Sequence, residues 1–315
     1  MMSTQSSAPL PIIIDTDPGQ DDAVAILLAL ASRQELELRA ITTVAGNVPV
    51  DLTTQNALRI CALAHRFDVP VYRGAEAPLL ASLETAEFVC GPDGLDGAGL
   101  PPASHAATRG HAVDAIVAAL RAAPDGLTLC PLGPLTNLAL ALRLAPDIRP
   151  RIAQIVLMGG AVALGNMTPA AEFNMYVDPH AAAIVLGCGR PIVMMGLGVT
   201  HQAIASPGQV RRFAELGTKT GSAIHGMLTR PRPGGLGTLG HPMHDPCVVA
   251  YLLWPELFFG RDCFVEIETG NGPLRGRTTI DWNGRLKRAP NALVIDKVEA
   301  HELFERMIPK LATLP

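Results

Sequence analysis

The sequence predicts an α/β fold, a mostly parallel, Rossmann-like sheet flanked by helices, and three observations carry that expectation. Short β-branched apolar runs, beginning with Ile12, Ile13 and Ile14, alternate with longer stretches of helical periodicity. The alternation repeats through most of the chain, which calls for crossover connections, parallel strands and helices on both faces. A chain of 315 residues with 48% hydrophobic content can also bury a large core without splitting. With no repeat, coiled coil or low-complexity linker in sight, one domain over residues 11–315 is expected, after a disordered tip at 1–10.

The first strand, at Ile12 to Ile14, leads through a Pro18-Gly19 turn into an apolar helix over 23–31. Residues 36–44 read as a second strand ending at Ala45-Gly46-Asn47, 51–67 as a helix, and 69–72 as a short strand. A Gly- and Pro-rich segment, 74–105, follows; a loop that long is uncommon unless functional or mobile. Helix over 111–123, strand over 127–132, helix over 136–144 and strand over 152–158 continue the pattern, with further steps at 178–186 and 192–197. Residues 201–229 read as mostly helical, 230–243 as a second loop, and 245–253 as helix. Strands over 263–268, 276–282 and 292–295 suggest a small antiparallel addition at one edge near the C-terminus, closed by a helix over 299–311.

The chemistry concentrates between the first strand and helix, where Asp15, Asp17, Asp21 and Asp22 fall within eight residues. A strand reaching Asp17 would put Asp15 and Asp17 on one face. Asp21 and Asp22 would open the helix, where free N–H groups and the macrodipole favour anions by only about 0.3–1 kcal/mol each. That is too little to hold several carboxylates in a crevice without raising their pKa values. A hard cation would hold them, and an all-oxygen donor set favours Ca²⁺ or Mg²⁺ over zinc. Asp residues that merely cap a solvated helix are the plainer reading; four at one turn argue against it.

Net charge of −4 and a pI near 6.1 give no footprint for nucleic acid or an anionic membrane, so a small substrate is expected. No apolar stretch approaches the roughly 20 residues of a membrane span. The opening residues do not resemble a secretory signal, and six scattered cysteines without CxxC fit reduced thiols in a cytoplasmic protein.

DTDPGQDDAVA, with TTVAGNV at 42–48, GPLTN at 133–137, AEFN at 171–174 and MHDPC at 243–247, resembles the inosine-uridine-preferring nucleoside hydrolases over nearly the whole chain. The resemblance implies that family's single-domain fold and hydrolysis of the N-glycosidic bond of ribonucleosides to ribose and free nucleobase. It implies Ca²⁺ held by Asp17, Asp22, Asp245 and the main-chain carbonyl of Leu132, where the side chain is immaterial. Asp245 alone would read as a helix N-cap, since Pro246 fits the first helical position. Ribose would be gripped by Asp21, Asn47, Asn166, Glu172 and Asn174; alone, GNMTPAAEFN reads as an ordinary polar loop.

Calcium is a weak Lewis acid that positions water without ionising it near neutral pH, so a general base is required. Asp17, beside the calcium-bound water, is the expected base, in a role worth roughly 10²–10⁴-fold. His244 is the expected acid for the leaving base and part of the substrate site, with His241 and His225 as weaker candidates. Two departures from the family pattern bear on this step. Cys90 stands where many relatives carry His, and the 226–243 loop has no Tyr. The family also implies a homotetramer or homodimer.

Two other readings compete. A DxD after an apolar strand also marks haloacid-dehalogenase-type phosphotransferases, which need a placed Lys; Lys219, Lys287, Lys297 and Lys310 are the only lysines, none convincingly placed. A calcium-dependent nucleoside- or ribosyl-binding protein without turnover, or a hydrolase of an unusual ribosyl substrate, is the other alternative, and the intact Asp17 argues against a pure binder.

Overall fold

The computed structural model describes residues 8–230 and 240–315. Most of the N-terminal tip and most of the second loop expected above lie outside the described residues. Leu10, assigned to the tip, already belongs to the sheet, because its N–H donates to the Glu35 carbonyl at 2.8 Å.

The strands are β1 (Leu10–Thr16), β2 (Leu36–Thr43), β3 (Val71–Arg73), β4 (Leu127–Pro131), β5 (Ile152–Met158), β6 (Ile192–Met195), β7 (Ile204–Ala205), β8 (His241–Pro242), β9 (Phe258–Ile267), β10 (Thr278–Asp281) and β11 (Ala292–Val298). Nine of them form one sheet in the order β10-β9-β11-β6-β5-β4-β1-β2-β3. Its strands from β3 across to β11 run parallel, and β9 is antiparallel to both its neighbours, β11 and β10. The antiparallel addition is therefore continuous with the main sheet. β11 joins β6 in parallel register, Leu293 opposite Val193, and only β9 and β10 make the antiparallel edge. β7 and β8 pair separately, Ala205 opposite His241.

Central strands covered on both faces should read as unbroken apolar runs rather than alternating ones. Ile12, Ile13 and Ile14 do so: Ile12 and Ile14 belong to one core cluster and Ile13 to the other, across the sheet. Helix Gln20–Ala31 buries nearly its whole circumference, with Val24, Ile26, Leu27 and Leu28 fully enclosed. Each such side chain contributes about 1.5–3 kcal/mol. Between β3 and the next long helix, the 74–105 loop contains a short helix, Glu87–Cys90, which turns Phe88, Val89 and Cys90 toward the carboxyl end of the sheet.

Candidate active site

In an open parallel sheet, ligands bind beyond the carboxyl ends of the strands where the strand order reverses. Here the reversal falls between β1 and β4. Asp17 follows β1 and Leu132 follows β4, and the two turns are tied by the Leu132 N–H donating to the Asp15 carbonyl at 2.7 Å.

Asp17 is buried in a close-fitting cradle. Its Oδ2 accepts the main-chain N–H of Asn47 at 2.7 Å. A Cβ on Gly46 would lie 2.1 Å from Oδ2, and one on Gly133 would lie 2.3 Å from Oδ1. The motifs at 42–48 and 133–137 thus each contribute a glycine that lets backbone approach the same carboxylate. Burial, then the charge of Asp22, raises the Asp17 pKa well above the usual carboxylate range, while the Asn47 N–H opposes the shift.

Asp22 accepts the Thr16 hydroxyl at 2.5 Å, the Gly19 N–H at 3.0 Å and the Asn47 amide at 3.2 Å. Burial and the neighbouring Asp21 push it up to about 6. Asp245 occupies the cap position of helix Pro246–Leu253, but its side chain accepts none of the helix N–H groups. Its carboxyl instead meets that of Asp22, and burial, followed by the charge of Asp22, raises its pKa well above the ordinary range. Oxygens from Asp21, Asp22 and Asp245 lie within 4.8 Å of one another. Three carboxyls at that separation cannot all ionise in a buried site without a counter-charge. No Lys or Arg is among the described residues lining the cavity there. The donors are all oxygen, so the cluster fits a hard divalent cation.

The grouping differs from the four-acid cluster read in the sequence. Asp15 sits inside the β1 ladder, opposite Thr42 and Pro131, and does not line the cavity. Its Oδ1 accepts the Thr42 hydroxyl at 2.6 Å and the Asn137 amide at 2.8 Å, and burial pushes its carboxyl up to about 6. The strand ends at Thr16, so no ladder carries the alternation on to Asp17. Asp21, assigned to ribose, lies among the clustered acids, while Asp17 stands beside them.

Asp17, Asp21, Asp22, Asn47, Leu132, Asn166, Glu172, Asn174, His244 and Asp245 all line one cavity of about 520 Å³. Glu172 caps helix Phe173–Val177, accepting the N–H of Asn174 on Oε1 at 2.9 Å and those of Gly160 and Met175 on Oε2 at 2.9 and 3.2 Å. Asn174 donates to the Leu132 carbonyl at 2.6 Å, and Asn166 accepts the Phe173 N–H at 2.9 Å. These bonds leave a lone pair on Glu172 Oε1, the Asn174 carbonyl oxygen and the Asn166 amide hydrogens, a mixed set suited to sugar hydroxyls.

Nδ1 of His244 lies 2.7 Å from the Thr200 hydroxyl, and the rings of His244 and His201 are 5.4 Å apart. His241 and His225 do not line the cavity. Cys90 does, with its thiol donating to the Ala86 carbonyl at 3.1 Å and pushed up by burial. Phe88, Val89, Met167, Phe173 and Ile204 supply apolar wall suited to a flat base. Sequence reading did not assign Thr16, Thr200 or His201. Thr200 and His201 follow β6 at its carboxyl end, the position where the strand-end rule places ligand contacts.

The sequence profile of the inosine-uridine preferring nucleoside hydrolases matches residues 12–305. The chain belongs to that family. This nucleoside hydrolase is 47% identical over 311 residues to an uncharacterised protein of Schizosaccharomyces pombe, covering 97% of this chain and 100% of that one. It is 43% identical over 306 residues to the pyrimidine-specific ribonucleoside hydrolase RihA of Salmonella typhimurium, covering 96% and 98%. Among solved structures, the purine-preferring ribonucleoside hydrolase from Gardnerella vaginalis superposes with a TM-score of 0.89 at 31% identity, over 96% of this chain and 98% of that one. No described helix of this nucleoside hydrolase is long and apolar enough to cross a membrane.

Proposed function

We propose that this nucleoside hydrolase cleaves the N-glycosidic bond of purine or pyrimidine ribonucleosides with Asp17 as general base, His244 as general acid and Ca²⁺ as its cation. The observation that supports this most is the Asp17 cradle: a buried carboxylate fixed between Gly46 and Gly133 beside three further clustered acids. Asp17, Asp22, Asp245 and the Leu132 carbonyl would hold Ca²⁺, with Asp21 within reach of both the cluster and the sugar. Bound there, Ca²⁺ would supply a fixed positive charge that helps orient water and keeps the neighbouring carboxylates ionised.

Asp17 takes a proton from the attacking water as it approaches the anomeric carbon. The departing sugar bears oxocarbenium-like positive charge, which the surrounding carboxylates favour. Asn47, Asn166, Glu172 and Asn174 fix the ribose hydroxyls through the lone pairs and amide hydrogens their internal bonds leave over. His244 delivers a proton to the leaving base, which is a poor anion without one. An intact Asp17 favours turnover over mere ribosyl binding. The relatives include both a pyrimidine-specific and a purine-preferring enzyme, and a flat apolar wall does not by itself select between the two ring types.

The resemblance supports a homotetramer or homodimer, and six free, buried cysteines are in keeping with a cytoplasmic location. The experiment is release of free base and ribose from inosine, uridine, cytidine, adenosine and guanosine, with native, chelated and calcium-restored protein. Release that disappears with chelator and returns with calcium supports the proposal. Calcium-loaded protein inert toward all five nucleosides would contradict it.

A further inference from the structure

Thr200 ends the short helix Leu197–Thr200 that follows β6, and it is completely buried. A buried threonine hydroxyl usually turns back onto the carbonyl one helical turn earlier. Here the bond goes across to another element, and Oγ1 meets Nδ1 of His244 at 2.7 Å. The platform beneath this pair is fixed. The Met243 N–H donates to the Ala203 carbonyl at 2.8 Å, β7 pairs with β8, and the Gln202 amide ties Gly198 to Asp296. The two residues are therefore held together by the backbone on both sides.

We propose that Thr200 is a positioning residue for the leaving-group step, pinning Nδ1 of His244 so that Nε2 is the nitrogen that serves the departing base. A hydroxyl suits this task because it both donates and accepts. When the imidazole is charged, Nδ1–H donates to Thr200 Oγ1. As the C–N bond breaks, its electron pair moves to the base and the Nε2 proton follows it. The neutral ring left behind still carries Nδ1–H on the same hydroxyl, and Nε2 regains a proton from solvent. The proton taken from water onto Asp17 leaves separately, so charge balances over the cycle. His201 lies beside His244, and burial holds it below the ordinary histidine range.

This inference rests on His244 as the acid, and the test separates the two claims. Rates are measured for uridine and inosine, which need a protonated leaving base, and for 4-nitrophenyl ribofuranoside, whose phenolate leaves unaided. The variants are Thr200→Val, Thr200→Ala, Thr200→Ser and His244→Ala, each checked for cooperative unfolding. The expected result is a fall of at least about ten-fold in the nucleoside-to-nitrophenyl rate ratio for Val, Ala and His244→Ala. That is part of the roughly 10²–10⁴-fold such catalysis is worth. Thr200→Ser should recover a ratio within about three-fold of the parent. A ratio lowered by His244→Ala but unmoved by Thr200→Val and Thr200→Ala overturns the inference and leaves the acid in place. A ratio unmoved by His244→Ala overturns both.

Discussion

Asn47 donates its main-chain N–H to Oδ2 of Asp17 at 2.7 Å and its side-chain amide to the Asp17 carbonyl at 3.1 Å. One residue, 30 positions downstream, thereby fixes both the carboxylate and the backbone of the proposed base. The same amide reaches Asp22 at 3.2 Å, so Asn47 also joins the base to the acid cluster. Positioning of this kind is what gives a catalytic group its advantage, since misplacement by about 1 Å can cost on the order of 10²-fold.

The glycine cradle makes the first prediction. Gly46→Ala would place a methyl 2.1 Å from Asp17 Oδ2, and Gly133→Ala one 2.3 Å from Oδ1. Each should lower kcat by about 10–10²-fold by displacing the carboxylate. Circular dichroism should show the fold retained. Parent-like turnover in both variants would mean that the fit around Asp17 does not matter.

Folding stability in the presence of chelator should depend on pH with a definite sign. Asp15 and Asp22 are each pushed up to about 6 from the ordinary carboxyl value of 3.8, mainly by burial. A carboxyl with a raised folded-state pKa binds more protons folded than unfolded between those values, so stability falls as pH rises from about 4 through about 6. Calcium should restore stability at neutral pH, because it binds the ionised acids of the folded state. The check is Tm across that range with chelator and with calcium. A calcium-induced rise in Tm larger at about pH 5 than at about pH 7 would reverse the expected linkage.

Asn137 is predicted to hold the floor of the site without touching substrate. Its amide donates to Asp15 Oδ1 at 2.8 Å and to the Thr43 carbonyl at 2.9 Å, and its Oδ1 accepts the Ala75 N–H at 2.9 Å. Asn137→Ala orphans these buried groups, each at about 1–3 kcal/mol. Denaturant unfolding should show a loss of at least about 2 kcal/mol, whereas a change below about 0.5 kcal/mol would place it with ordinary surface substitutions.

Cys90 should be dispensable for turnover. Its thiol hydrogen goes to the Ala86 carbonyl, and burial disfavours the thiolate. Cys90→Ser should change kcat by no more than a few-fold, since a hydroxyl can make the same bond; a loss beyond about ten-fold would assign the sulfur a chemical role outside the usual inertness of buried cysteine.

The sheet was legible because Ile12 to Ile14 and Ile155 to Met158 carry the unbroken apolar runs that a strand covered on both faces requires. The parallel joining of β11 to β6 was not, since a short run such as Ala292 to Ile295 carries no sign of its neighbour's direction. The residues of the site were named from motifs, and the structure brings them around one cavity. Their division of labour depended on where β1 stops. Asp15 stays in the ladder and Asp17 leaves it, a boundary one residue wide that no periodicity resolves. Thr200 was missed because it is a single residue closing the short helix after β6, and its partner His244 lies 44 positions away.

The most direct test of the whole account is Asp17→Asn, assayed for uridine and inosine hydrolysis alongside calcium affinity by calorimetry. Asn keeps the shape of the cradle and can still accept the Asn47 N–H, but it cannot take a proton from water. The account predicts a kcat loss of roughly 10²–10⁴-fold, with measurable calcium binding retained through Asp22, Asp245 and the Leu132 carbonyl. Turnover within about ten-fold of the parent, with calcium bound, would contradict it and move the base to another residue.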